Sequence, residues 1–174
     1  MKNYKELLHK ITTFIFDYDG VFTDSSVIVI ENGEALRRTN VKDGYALQLA
    51  VKLGYTVVII SGGRGMGMQK RLEMLNASQV FLGVSNKQEV LEDFLSENNI
   101  SPGECLFMGD DIPDYYPMKH VALACCPADA SYEIQEISHY ISHKKGGEGC
   151  VRDIIEQVLK SQGKWMCNQD AHLW

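Results

Sequence analysis

Asp17 and Asp19 close the run Phe14-Ile15-Phe16-Asp17-Tyr18-Asp19-Gly20, so two carboxylates one residue apart end an apolar stretch. Ile11, Phe14, Ile15 and Phe16 suit a parallel sheet, whose strands are apolar on both faces. The acids then fall at the strand's carboxyl end, where open α/β sheets bind ligands. Carboxylates this close repel, and a cation between them relieves the repulsion, which implies Mg²⁺. An Asp-Tyr-Asp-Gly turn would use the same residues for local reasons. Further along, Ser61-Gly62-Gly63-Arg64 offers a hydroxyl, free amides and a cation, a set suited to phosphate, although Ser-Gly is also ordinary turn chemistry. Lys87 follows Gly83-Val84-Ser85-Asn86 at a helix start, where its ammonium and the open amides could hold an oxyanion; a solvated surface lysine is the plainer reading. Phe107-Met108 leads into a second acidic cluster, Gly109-Asp110-Asp111-Ile112-Pro113-Asp114. Each piece is common alone. Acid pair, hydroxyl, lysine and acid cluster in this order, each at a strand end or helix start, would rarely arise by chance.

The elements that must position these groups alternate. Strand-like runs occur at Ile11 to Phe16, Thr56 to Ile60, Gln79 to Leu82, Cys105 to Met108 and Val121 to Ala124, with a weaker one at His139 to Ser142. Between most of them, Val41 to Leu53, Met66 to Leu75, Lys87 to Asn98 and Cys150 to Gln162 space apolar residues at three and four, as helices do. Alternation of this kind predicts an α/β, Rossmann-like doubly wound parallel sheet covered on both faces. From about residue 26 to Thr39, two short runs flank Glu31-Asn32-Gly33-Glu34, and Asn-Gly there predicts a projecting β-hairpin with a type I′ turn.

At 174 residues the chain is the size of one domain, read here as a core over 1–163 and a C-terminal tail over 164–174. The tail holds Trp165, Met166, Leu173 and Trp174, apolar groups expected to dock on the body or on a neighbouring subunit. A hydrophobic fraction of 45% and a net charge of −6, with no apolar run near the ~20 residues a bilayer requires, argue against membrane and disordered classes. An acidic balance without a basic stripe argues against nucleic acid as a partner. The N-terminal residues form no signal-peptide core, and five cysteines without a Cys-x-x-Cys pair fit a reducing cytoplasm.

Asp17-Tyr18-Asp19-Gly20, Ser61-Gly62, Lys87 and Gly109-Asp110-Asp111-x-x-Asp114 resemble the four motifs of the haloacid dehalogenase superfamily of phosphatases. Asn40-Val41-Lys42-Asp43-Gly44-Tyr45, Gly83-Val84-Ser85-Asn86-Lys87 and Gly146-Gly147-Glu148-Gly149 resemble its branch acting on 3-deoxy-D-manno-octulosonate 8-phosphate, a lipopolysaccharide precursor. That branch usually reads Thr-Gly-Arg where this chain has Ser61-Gly62-Gly63, so Arg64 comes one position late. The resemblance implies Asp17 as nucleophile and Asp19 as general acid and base. It implies Mg²⁺ on Asp17, the Asp19 carbonyl and Asp110, with Asp111 and Asp114 behind them, and Ser61 and Lys87 on the phosphoryl oxygens. Asn40, Lys42, Asp43, Gly44, Gly62, Arg64 and Arg71 become candidates for binding the sugar acid, the cations Lys42, Arg64 and Arg71 for its carboxylate. No large insertion separates Asp19 from Ser61 or Ser61 from Asp110, so the domain lacks a cap domain, and closure of an open phosphoryl site falls to another subunit. In the branch, hairpins of this kind pack into a homotetramer. A phosphatase of the nine-carbon acid 2-keto-3-deoxynononate 9-phosphate, or of broader specificity, and a non-catalytic oligomerisation module are the competing readings.

Overall fold

Residues 3–167 are described in a computed structural model. The chain passes through α1 (Tyr4–Leu7), β1 (Thr13–Phe16), a hairpin of β2 (Ile28–Val29) and β3 (Ala35–Leu36), α2 (Val41–Lys52), β4 (Thr56–Ser61), α3 (Met66–Met74), β5 (Gln79–Leu82) and α4 (Lys87–Glu97). It continues through β6 (Cys105–Met108), α5 (Tyr115–His120), β7 (Leu123–Cys126), α6 (Tyr132–Ile137), β8 (Tyr140–Ile141) and α7 (Cys150–Ser161). Six strands pair in parallel in the order β5-β4-β1-β6-β7-β8.

Side chains of a strand alternate between faces, and here both faces are apolar. Phe14, Phe16, Val57, Ile59, Leu106 and Met108 meet α2, α3 and α7 on one side. Ile15, Val58, Ile60, Cys105 and Phe107 meet α4, α5 and α6 on the other. Complete burial of each large apolar side chain contributes about 1.5–3 kcal/mol, which makes these two rows the main stabilising layers. Helix α7 serves the first face by spacing Val151, Ile154, Ile155, Val158 and Leu159 along one stripe, all fully buried. This is the α/β doubly wound sheet expected, with no cap domain evident among the described residues.

The chain winds outward from β1 to β4 and β5, then returns to lay β6 on the opposite side of β1. Connections after β1 and β6 therefore leave in opposite directions, and a crevice opens at the carboxyl ends of those two strands. Phe16 pairs with Met108 in register, so the residues that follow both strands emerge side by side in that crevice.

Three short helices were not expected. Each spans at most six residues, too few for a 3.6-residue period to show. Strand β7 begins two residues later than its apolar run. The hairpin turn is also not type I′. Gly33 is left-handed at φ +85° while Asn32 is not, and the Gly33 amide donates to the Ile30 carbonyl (2.8 Å), as in a three-residue loop that ends on a glycine bulge. In the tail, Trp165 packs on the core whereas Met166 is exposed; Leu173 and Trp174 lie outside the described residues.

The glycines before α7 press on the loop after β1. The Gly147 amide donates to the Val21 carbonyl (3.0 Å), and a Cβ on Gly146 would stand 2.0 Å from the Gly20 carbonyl oxygen. Gly146→Ala should therefore cost about 1–3 kcal/mol through backbone displacement, read as a fall of roughly 2–4 °C per kcal/mol in thermal unfolding. An unchanged midpoint would show that this contact is not made.

Candidate active site

The crevice holds a cleft of about 450 Å³ lined by Asp17, Asp19, Ser61, Gly62, Lys87, Asp110 and Asp111, among others. Asp17 extends β1, its amide donating to the Met108 carbonyl (3.0 Å), and is 8% exposed. The loop beyond it folds back tightly, with the Phe22 amide donating to the Tyr18 carbonyl (2.9 Å). Gly20, at φ +85°, leaves room for Asp110: a Cβ there would stand 1.9 Å from an Asp110 carboxylate oxygen. Asn86 caps α4, which aims Lys87 inward from the helix start. The Lys87 Nζ lies 2.8 Å from Asp17 Oδ2 and 2.7 Å from Asp114 Oδ1. Asp114 is fully buried below the cleft, and its Oδ2 accepts from the Asp110 amide (3.1 Å).

One carboxylate oxygen from each of Asp17, Asp110 and Asp114 lies within 4.8 Å of the others. Burial, then the charges of Asp17 and Asp114, push Asp110 up to about 8. Burial and Asp17 push Asp114 up to about 7 against the pull of Lys87. Burial raises Asp17 too, opposed by the Lys87 charge. Burial would lower Lys87, but Asp114 and Asp17 outweigh it, so its ammonium is held above the ordinary lysine value. Three clustered carboxylates facing one lysine make an oxygen-only donor set with excess negative charge, which fits a hard divalent cation such as Mg²⁺.

The candidates for binding the sugar acid are placed elsewhere, apart from Gly62. Arg64 packs across Gly83 rather than into the cleft. With Arg71 and Arg37 it lines a separate hollow of about 660 Å³ between the hairpin and α3. Asn40 caps α2 by accepting from the Lys42 amide (2.8 Å) and donates to the Gly147 carbonyl (3.3 Å), while Lys42 is exposed. Asp43 is fully buried and does not line the cleft. Its Oδ1 accepts from the Arg152 amide (2.7 Å), placing a carboxylate at the start of α7, where the helix dipole favours negative charge. Burial, opposed by the amides of Arg152 and Gly149, raises it to about 6. Gly44 touches Arg71, whose Nη2 lies 2.6 Å from where a Cβ would stand. Asp43 and Gly44 thus make packing contacts within the chain, with Arg152 and Arg71 respectively.

Arg37 went unnoticed in the sequence. It lies one residue past β3, and its Nε and Nη2 donate to the two oxygens of Asp19 at 2.6 and 2.9 Å. Nothing local to Leu36-Arg37-Arg38 signals this, because the pairing exists only once the hairpin folds back over the loop after β1.

A doubly wound sheet with an acid pair after its first strand and a lysine and acid cluster converging at its switch point defines a hydrolase core of the haloacid dehalogenase class. No family model matches the chain. It is 34% identical over 154 residues to the 3-deoxy-D-manno-octulosonate 8-phosphate phosphatase KdsC of Salmonella typhi, covering 88% of this chain and 82% of that one. The Yersinia pestis 3-deoxy-D-manno-octulosonate 8-phosphate phosphatase structure superposes at TM-score 0.92 with 29% identity, over 95% of this chain and 90% of the other. The Moraxella catarrhalis phosphatase of the same name, solved with magnesium ion, phosphate ion and KDO, gives 0.91 and 26% over 95% of each chain. The chain belongs to the KdsC family of 3-deoxy-D-manno-octulosonate 8-phosphate phosphatases.

Asp110 and Asp114, raised to about 8 and about 7, titrate near ~4 in an unfolded chain. The folded metal-free protein holds those protons more tightly. The resulting stabilisation is complete below pH ~4 and is lost as pH rises through about 7 to 8. The unfolding midpoint with EDTA should therefore fall between about pH 6 and 8, and Mg²⁺ should raise it more at about pH 8 than at 6. An equal Mg²⁺ increment at both values would disconnect these acids from the metal.

Proposed function

We propose that the chain is a Mg²⁺-dependent phosphatase that converts 3-deoxy-D-manno-octulosonate 8-phosphate to the free sugar acid and phosphate. The observation that carries this is the buried, cleft-lining Asp17 carboxylate, held between Lys87 and the Asp110–Asp114 pair. Family membership favours the eight-carbon ester over the nine-carbon acid or an assembly module.

In this reading a carboxylate oxygen of Asp17 bonds to phosphorus as the bond to the sugar oxygen breaks, giving an aspartyl-phosphate. Asp19 gives its proton to the departing alkoxide. It then takes one from the water that attacks the aspartyl-phosphate, which releases phosphate and restores Asp17. Ser61 and Lys87 bind phosphoryl oxygens and stabilise the charge that spreads over them. Asp17, Asp110 and the Asp19 carbonyl would hold Mg²⁺, which would supply Lewis-acid stabilisation worth several kcal/mol. The hollow with Arg64 and Arg71 supports a place for the substrate carboxylate.

The assembly in this proposal is a homotetramer whose hairpins wall neighbouring clefts. Ile28 and Val29 of the hairpin are 68% and 67% exposed, apolar side chains on both faces of the ribbon that water would not favour. A cytoplasmic setting rests on five free cysteines, four of them buried. Among the described residues no helix is long and apolar enough to cross a membrane.

Asp17→Asn should lower phosphate release by at least about 10³-fold, because the near-isosteric amide cannot attack phosphorus, while circular dichroism and assembly stay as in the parent. Undiminished turnover would remove Asp17 from the mechanism. Across phosphorylated sugar acids and neutral sugar phosphates, the eight-carbon acid should give the highest kcat/KM, and only with Mg²⁺; preference for neutral sugars would overturn the substrate. Light scattering should show that Ile28→Lys combined with Val29→Lys lowers the oligomeric mass. An intact parent that is already monomeric would exclude a borrowed wall.

A further inference from the structure

We propose that Arg37 is a positioning residue for Asp19, and that through it the hairpin is part of the catalytic apparatus as well as an assembly surface. The inference rests on the phosphatase reading above. Arg37 lies just beyond β3, yet its side chain is only 10% exposed, because it reaches out of the hairpin onto Asp19. Both forks engage the carboxylate, at 2.6 and 2.9 Å, and the remaining nitrogen, Nη1, donates to the Ala35 carbonyl at 3.2 Å. A planar guanidinium anchored at its third nitrogen fixes the plane of the carboxylate it grips as well as its distance.

Asp19 has little else to hold it. Apart from Arg37, the hydrogen bond on its carboxylate among the described residues is a long one from the Thr23 hydroxyl, 3.5 Å to Oδ1. Its side chain is 33% exposed, unlike the buried Asp17 and Asp114. Oδ2 stands 2.8 Å from where a Cβ of Gly63 would be, so the gripped carboxylate lies over the glycine that replaces the usual arginine of the Thr-Gly-Arg motif. Cleft-lining Asp19 is thus held between a bare backbone on one side and an arginine from the hairpin on the other. The neighbouring Arg38 makes a parallel, more exposed pair with Asp24 (3.0 Å), so adjacent arginines tie the hairpin to the loop that carries the acid.

A group that transfers a proton must sit within hydrogen-bond reach of the leaving oxygen, and a misplacement of about 1 Å can cost 10²-fold. Only a poor leaving group needs that proton. The distinguishing readout is therefore kcat/KM, which covers the steps through aspartyl-phosphate formation, compared for two esters. These are the sugar-acid 8-phosphate, whose leaving group is an alkoxide, and p-nitrophenyl phosphate, whose leaving group departs unassisted. Arg37→Ala should lower the first about 100-fold through kcat, with KM little moved, and the second no more than several-fold. Arg37→Lys, which restores the charge without the fork, should recover part of the loss on the sugar ester. Equal losses on both esters would make Arg37 a general structural support, and a loss confined to KM would make it a substrate-binding group; either overturns the inference alone. A gain on the sugar ester would mean that the pair restrains the acid and would overturn it as well. A parent chain that releases phosphate from neither ester would overturn the phosphatase reading and this inference together.

Discussion

The crowding of three carboxylates around one lysine is the constraint to which the rest of the structure answers. Asp17, Asp110 and Asp114 come from two separate loops, and their oxygens meet within 4.8 Å in a largely buried setting. Like charges are not gathered by the hydrophobic effect. They are forced together by strands β1 and β6, which pair in register and release their loops side by side where the winding reverses. The two apolar faces of the sheet supply the stabilisation that offsets this repulsion. Lys87 neutralises part of it, and bound protons or a divalent cation can neutralise the rest.

A second dependence runs outward from the same loop. The chain between Asp19 and α2 is spent on a hairpin with strands of two residues and exposed apolar side chains, which on its own would be marginal. The pairs Arg37–Asp19 and Arg38–Asp24 and the turn at Gly33 give it a defined place. An isolated exposed ion pair contributes little, but Arg37 is largely covered and bidentate, so its pairing carries geometric information. Whatever packs on Ile28 and Val29 therefore acts on an element that grips a cleft residue.

Much of this was legible in the sequence because the chemistry sits at the ends of apolar runs. Asp17, Ser61 and Asp110 are found by asking which polar residue stops a buried strand, and Lys87 by asking which opens a helix after a capping Asn. Contacts between residues distant in sequence left no such trace. Nothing in the sequence marks Arg37 until the hairpin folds back, and nothing marks the Asp43 contact with the first turn of α7. Arg37 follows β3 outside any periodic run, and although Asp43 lies in the periodic helix α2, its partner comes from α7, far along the chain. The Asn-Gly turn misled for a related reason. Its type depends on whether two or three residues separate the paired positions, and strands this short do not fix that register from sequence.

Charge bookkeeping also decides what the cleft can accept. With Asp17, Asp110 and Asp114 ionised against Lys87 alone, the site would carry a net charge of −2, three negative groups and one positive, and would repel a phosphate dianion. In the metal-free protein the raised values of Asp110 and Asp114, about 8 and about 7, let the site approach neutrality by keeping protons at neutral pH. Protonated carboxyls are poor ligands, so these acids must surrender those protons to hold a cation, and affinity for the ion must rise with pH. The burial that makes the cluster costly therefore also makes it a proton store, and exchanging that store for a metal puts a divalent charge beside Asp17 at unchanged net charge.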